Sequence, residues 1–276
     1  MRRKNDLQDV ELRQLAQQVI PRDAKEPFGS YLFLGIDPGA ELGRHLERTV
    51  FLEAFGNTPE LLAQEYDPYE GATVFICVVD HMRRLPAGAM RVLLPSSAGF
   101  KSLNDLEPVW GEPAKKMINR TGLSLDPLRT WDVATLAVDA KYRSKATMGL
   151  VSAGLYQTLT MAAWHCGMDW FVAILDMPIF RLIRWKLQMV FAGYDGVAPL
   201  PYLGSAASIP AWCHISEGKE HLAEVDPALH DILFEGTGSR RSERSIKVVP
   251  SSLVWWLRGS GGTSGGCRLE FLTRVK

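Results

Sequence analysis

The apolar positions of this chain fall into short runs and helical stripes that alternate along its length. "SYLFLGID" (Ser30–Asp37) has the run length of a first strand and is stopped by Pro38 and Gly39. In "ELGRHLERTVFLEAF", Leu42, Leu46, Val50 and Phe51 recur at helical spacing. Asn57–Glu60 restarts a short helix, with Thr58 as N-cap before Pro59. "TVFICVVD" (Thr73–Asp80) and "GAMRVLLP" (Gly88–Pro95) are strand-length runs, joined through "HMRRLPA" as a loose hairpin. After a mixed stretch, Trp131–Val138 predicts a buried strand that runs into the basic, turn-like "DAKYRSKAT". Val151, Leu155, Leu159, Ala162 and Cys166 then mark one apolar helix face. "DWFVAILD" (Asp169–Asp176) reads as a buried strand, "PIFRLIRWKLQMVF" as a basic amphipathic helix, and "PAWCHIS" (Pro210–Ser216) as a last strand. A polar helix broken at Pro227 follows.

This order is that of an α/β chain with a parallel strand–helix–strand crossover across residues 130–176 and antiparallel neighbours over Thr73–Pro95, hence a mixed sheet. The expected division is an N-terminal arm (1–29), one domain (30–236) and a flexible Gly/Ser-rich tail (237–276). The tail carries one apolar patch, "SSLVWWLRG".

Bulk composition narrows the function. Lys plus Arg equals Asp plus Glu, 31 against 31, so net charge gives no argument for nucleic acid, and any charged partner must be met by a local patch. The four cysteines are widely spaced and form no paired motif, which fits reduced thiols and a cytoplasmic address. The N-terminus is basic but is followed by no apolar region. Leu150–Met168 holds 19 residues without a formal charge, but Gln157, Thr158, Thr160 and His165 within it favour a buried helix of a folded core over a membrane span. The histidines are scattered, and no metal-ligand spacing is present.

The basic loop after Trp131–Val138 raises the question of an anionic ligand, against the alternative of a solvated connection. Three stretches bear on it. "EYDPYEG" (Glu65–Gly71), "AMRVLLPSS" (Ala89–Ser97) and "WDVATLAVDAKYR" (Trp131–Arg143) occur in this order. They resemble the E-x-D-x-Y-D, R-L-L-P and W-E-L-S-R-F-A-V-D segments of GNAT-fold N-acyltransferases, in the branch of acyl-homoserine-lactone synthases and N-acyl amino acid synthases. Glu65, Asp67, Tyr69, Arg91, Leu93, Leu94, Pro95, Trp131, Ala137, Val138 and Asp139 match; Glu70 and Asp132 exchange one acid for another. The pattern's Ser and Arg fall on Ala134 and Thr135, and its early Arg falls on Glu47, with Arg44 and Arg48 nearby.

The resemblance implies a GNAT-like fold, a mixed central sheet flanked by helices, over about residues 30–217. It implies transfer of a fatty acyl group from an acyl carrier protein or coenzyme A thioester to a small amine, without a permanently bound cofactor or metal. An N-acyl amino acid is the expected product, an acyl-homoserine lactone the alternative, and a non-catalytic acyl-binding module the rival. The roles follow: Asp132 for deprotonating the amine, Arg91 for holding acidic side chains, with a plain structural ion pair to Asp67 or Asp132 as its alternative, and an amide of Leu136 or Ala137 for the thioester oxygen. Asp67, Glu70, Trp131 and Thr135 shape the amine pocket, and Leu93, Leu136 and Ile174 line the acyl tunnel. Val138 and the segment Arg143, Ser144, Lys145, Ala146, Thr147 and Met148 meet the donor's pantetheine and phosphate. Ala146 and Met148 replace the superfamily's glycines there, which favours an acidic carrier protein as partner over a tightly held pyrophosphate. Lys115, Lys116, Arg143, Lys145, Arg181, Arg184 and Lys186 are the candidate basic patch, and the carboxylate of an amino acid acceptor is expected on Arg44 or Arg48.

Overall fold

A computed structural model of the chain describes residues 2–22, 24–143, 149–186 and 188–236. The elements run α1 (Arg2–Val19), β1 (Phe28–Leu34), α2 (Ala40–Phe55), α3 (Pro59–Tyr66), β2 (Thr73–Asp80), β3 (Leu85–Leu93), α4 (Lys101–Asn104), α5 (Leu106–Trp110), α6 (Ala114–Thr121) and β4 (Thr130–Val138). They continue with α7 (Leu150–His165), β5 (Trp170–Asp176), α8 (Met177–Lys186), β6 (Ala192–Gly193), β7 (Leu200–Tyr202), β8 (Ser205–His214), α9 (Ile215–Val225) and α10 (Pro227–Phe234).

The strands form one mixed sheet in the order β1-β2-β3-β4-β5-β8-β6, with β7 also on β8. Among the described residues only β4 and β5 pair in parallel, as the α7 crossover requires. Helices cover both faces, which explains why β2 is buried throughout and apolar from Val74 to Val79. Ile76 and Val78 face the layer of α7, α8, α9 and α10, while Phe75, Cys77 and Val79 face that of α1 and α2. The sheet lies close under α2: a Cβ on Gly43 would stand 2.5 Å from the Phe75 ring.

The N-terminal segment does not stand apart as an arm. The first strand begins at Phe28, and α1 packs Leu12 and Ala16 into the α2 layer. Gln157, Thr158, Thr160 and His165 of α7 all have partners. Thr160 Oγ1 donates to the carbonyl of Leu233 at 2.6 Å, and Gln157 Nε2 donates to that of Ile232 at 2.5 Å. These are last-turn carbonyls of α10, which lack partners within their own helix. Among the described residues no helix is long and apolar enough to cross a membrane. The expected tail, residues 237–276, lies outside the described residues.

Candidate functional site

β4 carries the central irregularity. Arg91 registers with Thr135 but Val92 with Val133, so Ala134 is an extra residue, a bulge that bends the strand away from its neighbour. On its other side β4 pairs with β5 only over Thr130–Asp132 against Trp170–Val172. Beyond that point the two strands part, while β5 stays paired with β8 to Asp176. The sheet therefore opens as a wedge, and Val133–Val138 presents a strand edge unpaired on the β5 side.

On the α7 face the wedge meets an apolar cavity of about 30 Å³. Met90, Val133 and Leu136 line one wall, Ala173 and Leu175 the other, and Ile183 of α8 closes it. Of the expected tunnel residues, Leu136 lines this cavity, but Leu93 and Ile174 do not. Strand alternation turns both to the opposite face, Leu93 beside Asp132 and Ile174 beside Pro210. Trp131 is buried in the α7 layer, and Ala137 faces the α2 layer.

That opposite face holds a chain of buried charges. Arg91 is 4% exposed and Glu47, from α2, 2% exposed. Arg91 donates from Nε to Glu47 Oε1 at 3.0 Å and from Nη2 to Oε2 at 2.7 Å, a bidentate pair. Its Nη1 donates to Glu70 Oε2 at 2.9 Å, and its guanidinium lies 4.6 Å from the ring centres of Tyr66 and Phe75. Thr135 Oγ1 donates to Glu47 Oε1 at 2.5 Å, and Tyr66 Oη donates to the Ala134 carbonyl at 3.4 Å. Arg44 completes the chain on Glu70. Burial pushes the Glu70 carboxyl up, but hydrogen bonds and charge from Arg44 and Arg91 hold it below the usual range.

The partners of Arg91 correct the sequence expectation: they are Glu47 and Glu70, whereas Asp67 is exposed on a 3-10 turn and Asp132 lies elsewhere. The departures from the synthase pattern also prove to be neighbours. Thr135 donates to Glu47, the two positions at which the synthase pattern has arginines, and Ala134 precedes Thr135 on the bulged strand. Arg44 and Arg48 are engaged as well, Arg44 by Glu70 and Arg48 by Glu41 at 3.0 Å.

Asp132 is 0% exposed at the apex of the wedge. Its Oδ2 accepts from the Ser102 amide at 2.8 Å and its Oδ1 from the Ser102 hydroxyl at 2.5 Å, which fastens α4 to β4. Burial raises its carboxyl to about 6, against the pull of the Ser102 donors and of Lys101. Beside it, Lys101, 3% exposed, donates to Glu65 Oε2 at 2.5 Å and to Asp105 Oδ2 at 2.6 Å. The Tyr202 hydroxyl donates to the same Asp105 oxygen at 2.5 Å. Burial lowers the Lys101 ammonium's hold on its proton, but Asp105 and Glu65 more than reverse this and raise it.

Glu47, Lys101, Ser102, Asp105 and Tyr202 carry no role in the sequence reading. Three were legible: Glu47 falls on the buried stripe three residues before Val50, and Lys101 and Asp105 stand at i, i+4. Tyr202 reaches Asp105 across 97 residues of chain, a contact with no local trace.

At the C-terminal end of β4, Arg143 Nε donates to the Val138 carbonyl at 2.7 Å, and Gly149 precedes α7 at φ 74°, a left-handed conformation suited to glycine. Ser144, Lys145, Ala146, Thr147 and Met148 lie outside the described residues. Arg181 and Arg184 are exposed on α8, whereas Lys116 pairs with Glu112 at 3.1 Å on α6. Among the described residues no group of three or more His, Cys, Asp and Glu is placed to hold a metal.

No protein-family model matches the sequence, and no curated protein sequence matches it. Solved structures do match. One is FeeM, an N-acyl amino acid synthase from uncultured soil microbes, with a TM-score of 0.51 at 13% identity, over 70% of this chain and 94% of that one. Another is the AHL synthase LasI, with a TM-score of 0.50 at 8% identity, over 72% of this chain and 95% of that one. The mixed sheet, the wedge between its two parallel strands and these likenesses show that the chain has a GNAT-like fold, resembling the branch of the N-acyl amino acid and AHL synthases.

Proposed function

We propose that the protein is an N-acyltransferase that moves a fatty acyl group from an acyl carrier protein or coenzyme A thioester to the amine of a small amino acid-like acceptor. The observation that carries this reading is the wedge: a free strand edge, an apolar cavity on one face and a buried acid at the apex. The pantetheine arm adds to the edge of Val133–Val138 as a further strand. The acyl chain enters the space beside Leu136, and a β4 amide, that of Leu136 or Ala137, faces the thioester oxygen as it gains charge. The exposed Arg143, Arg181 and Arg184 attract the carrier's anionic groups.

The amine lone pair attacks the thioester carbon, the C–N bond forms, and the C–S bond breaks to release thiolate. The amine's surplus proton passes to the Ser102 hydroxyl as that hydroxyl yields its own to Asp132, whose affinity near pH 6 suits a base. Arg91 and Glu47 touch no substrate; they position Glu70 and the bulged strand.

The test offers acyl carrier protein and coenzyme A thioesters with mixed amino acids in one tube and with S-adenosylmethionine in another. Free thiol and N-acyl amino acid in the first are expected. Lactone in the second alone moves the reading to the homoserine-lactone product. Stable thioester binding with no thiol released sinks the enzyme reading.

A further inference from the structure

Two buried donors have no partner among the described residues: the hydroxyl of Tyr194 and the indole N–H of Trp212. Tyr194 is 3% exposed. An unpartnered buried polar group costs free energy, so such a group calls for an explanation.

Their placement supplies one. Asp132 of β4 registers with Val172 of β5, and Val172 with Trp212 of β8, so Asp132 and Trp212 occupy one row across the sheet. Two strand spacings put their backbones about 10 Å apart. Tyr194 follows directly on β6, whose Ala192 registers with Trp212, and both rings pack into one cluster with Leu106 and Met117. Burial first, and then the charge of Asp132, push the Tyr194 hydroxyl upward. At the other end of the row, Glu65, Asp105 and Asp132 outnumber Lys101 three to one, an acidic excess suited to an ammonium. One end of the row thus favours a positive charge, and the other offers two neutral donors with nothing to receive them.

We propose that Tyr194 and Trp212 form a carboxylate subsite, which together with the acids around Asp132 recognises the zwitterionic headgroup of an α-amino acid acceptor. This rests on the acyl-transfer reading and adds to it the residues that hold the acceptor's carboxylate. It also explains how a carboxylate is held although Arg44 and Arg48 are engaged. The headgroup is common to a free amino acid and to S-adenosylmethionine, so the two sources need separate assay arms.

The experiment compares phenylalanine, 2-phenylethylamine (the same amine without its carboxylate) and S-adenosylmethionine as acceptors, with wild type, Tyr194→Phe and Trp212→Phe. Wild type should prefer the carboxylate-bearing acceptor by roughly ten- to hundredfold in kcat/KM, the range of one or two hydrogen bonds to a charged group. Each variant should cut that preference about tenfold, through KM, while the Tm of Tyr194→Phe, which keeps the ring, stays equal or rises because an unpartnered polar group is gone. The arm in which KM moves, phenylalanine or S-adenosylmethionine, identifies the source. A wild type indifferent to the carboxylate, or a preference unchanged in both variants, would overturn the inference. If no acceptor is acylated, the transfer reading fails, and ligand-induced thermal shift decides this one: phenylalanine stabilising wild type but neither variant supports the subsite, and no shift of wild type refutes it.

Discussion

Glu47 is the residue whose removal tests the buried network most directly. It accepts two hydrogen bonds from Arg91, at 3.0 and 2.7 Å, and one from Thr135 at 2.5 Å, at 2% exposure. Glu47→Ala leaves the Arg91 guanidinium 4% exposed in the wild-type geometry, with only Glu70, itself 31% exposed, as an acidic partner. Breaking a buried pair by removing one partner costs about 3–5 kcal/mol, against roughly 5–15 kcal/mol for the stability of a whole domain. For a domain of this size that corresponds to a fall in Tm of about 6–20 °C. Urea denaturation followed by circular dichroism measures the free energy, and calorimetry the Tm. The double variant Glu47→Leu/Arg91→Leu should be more stable than Arg91→Leu alone, because the uncompensated acid leaves with its partner and the volume is refilled by apolar atoms. A Glu47→Ala protein within about 1 kcal/mol of wild type would show that these charges are not buried and paired as described.

Other predictions follow from single features. Asp132 holds its proton more tightly folded than unfolded, about 6 against 3.8. Its ionisation therefore disfavours folding, a cost absent below about pH 4, growing through pH 4–6 and complete above pH 6 at about 3 kcal/mol. Asp132→Asn should gain stability relative to wild type across that window while losing most activity; a Tm difference that does not change between pH 4 and 8 contradicts this. Leu136→Trp should fill the cavity beside β4 and reduce kcat/KM for long acyl donors about tenfold or more, and for short ones much less; equal losses across chain length would remove the acyl role of that cavity. A chain ending at Gly236 should fold and keep activity. One ending at Val225 loses Leu233 and Phe234, buried at 1% and 6%, and the acceptors of Thr160 and Gln157, a loss of several kcal/mol readable as aggregation or a Tm drop.

Much of the fold was written locally. The Thr58 cap is seen in the bond from the Leu61 amide at 3.3 Å, and the break at Pro227 separates α9 from α10. The continuous apolar run of β2 announced a strand covered on both faces, and the helix between Trp131–Val138 and Asp169–Asp176 announced their parallel pairing. Such features arise from backbone periodicity and turn chemistry within a few residues, so the sequence alone carries them. The short strands β6 and β7 left no comparable trace, because two or three residues make no period and their pairing with β8 holds them. Within the site, the sequence marked Arg91, Asp132 and Leu136 but not what they touch. The bulge at Ala134 decided which side chains of β4 face the cavity and which the charges, since one extra residue reverses the alternation. Arg91 found Glu47 rather than Asp67 because α2 crosses above β3, and a buried cation takes the acid that tertiary packing brings to it. The same holds for the row from Asp132 to Trp212, whose members lie 80 residues apart and meet through sheet register, a relation that no local pattern encodes.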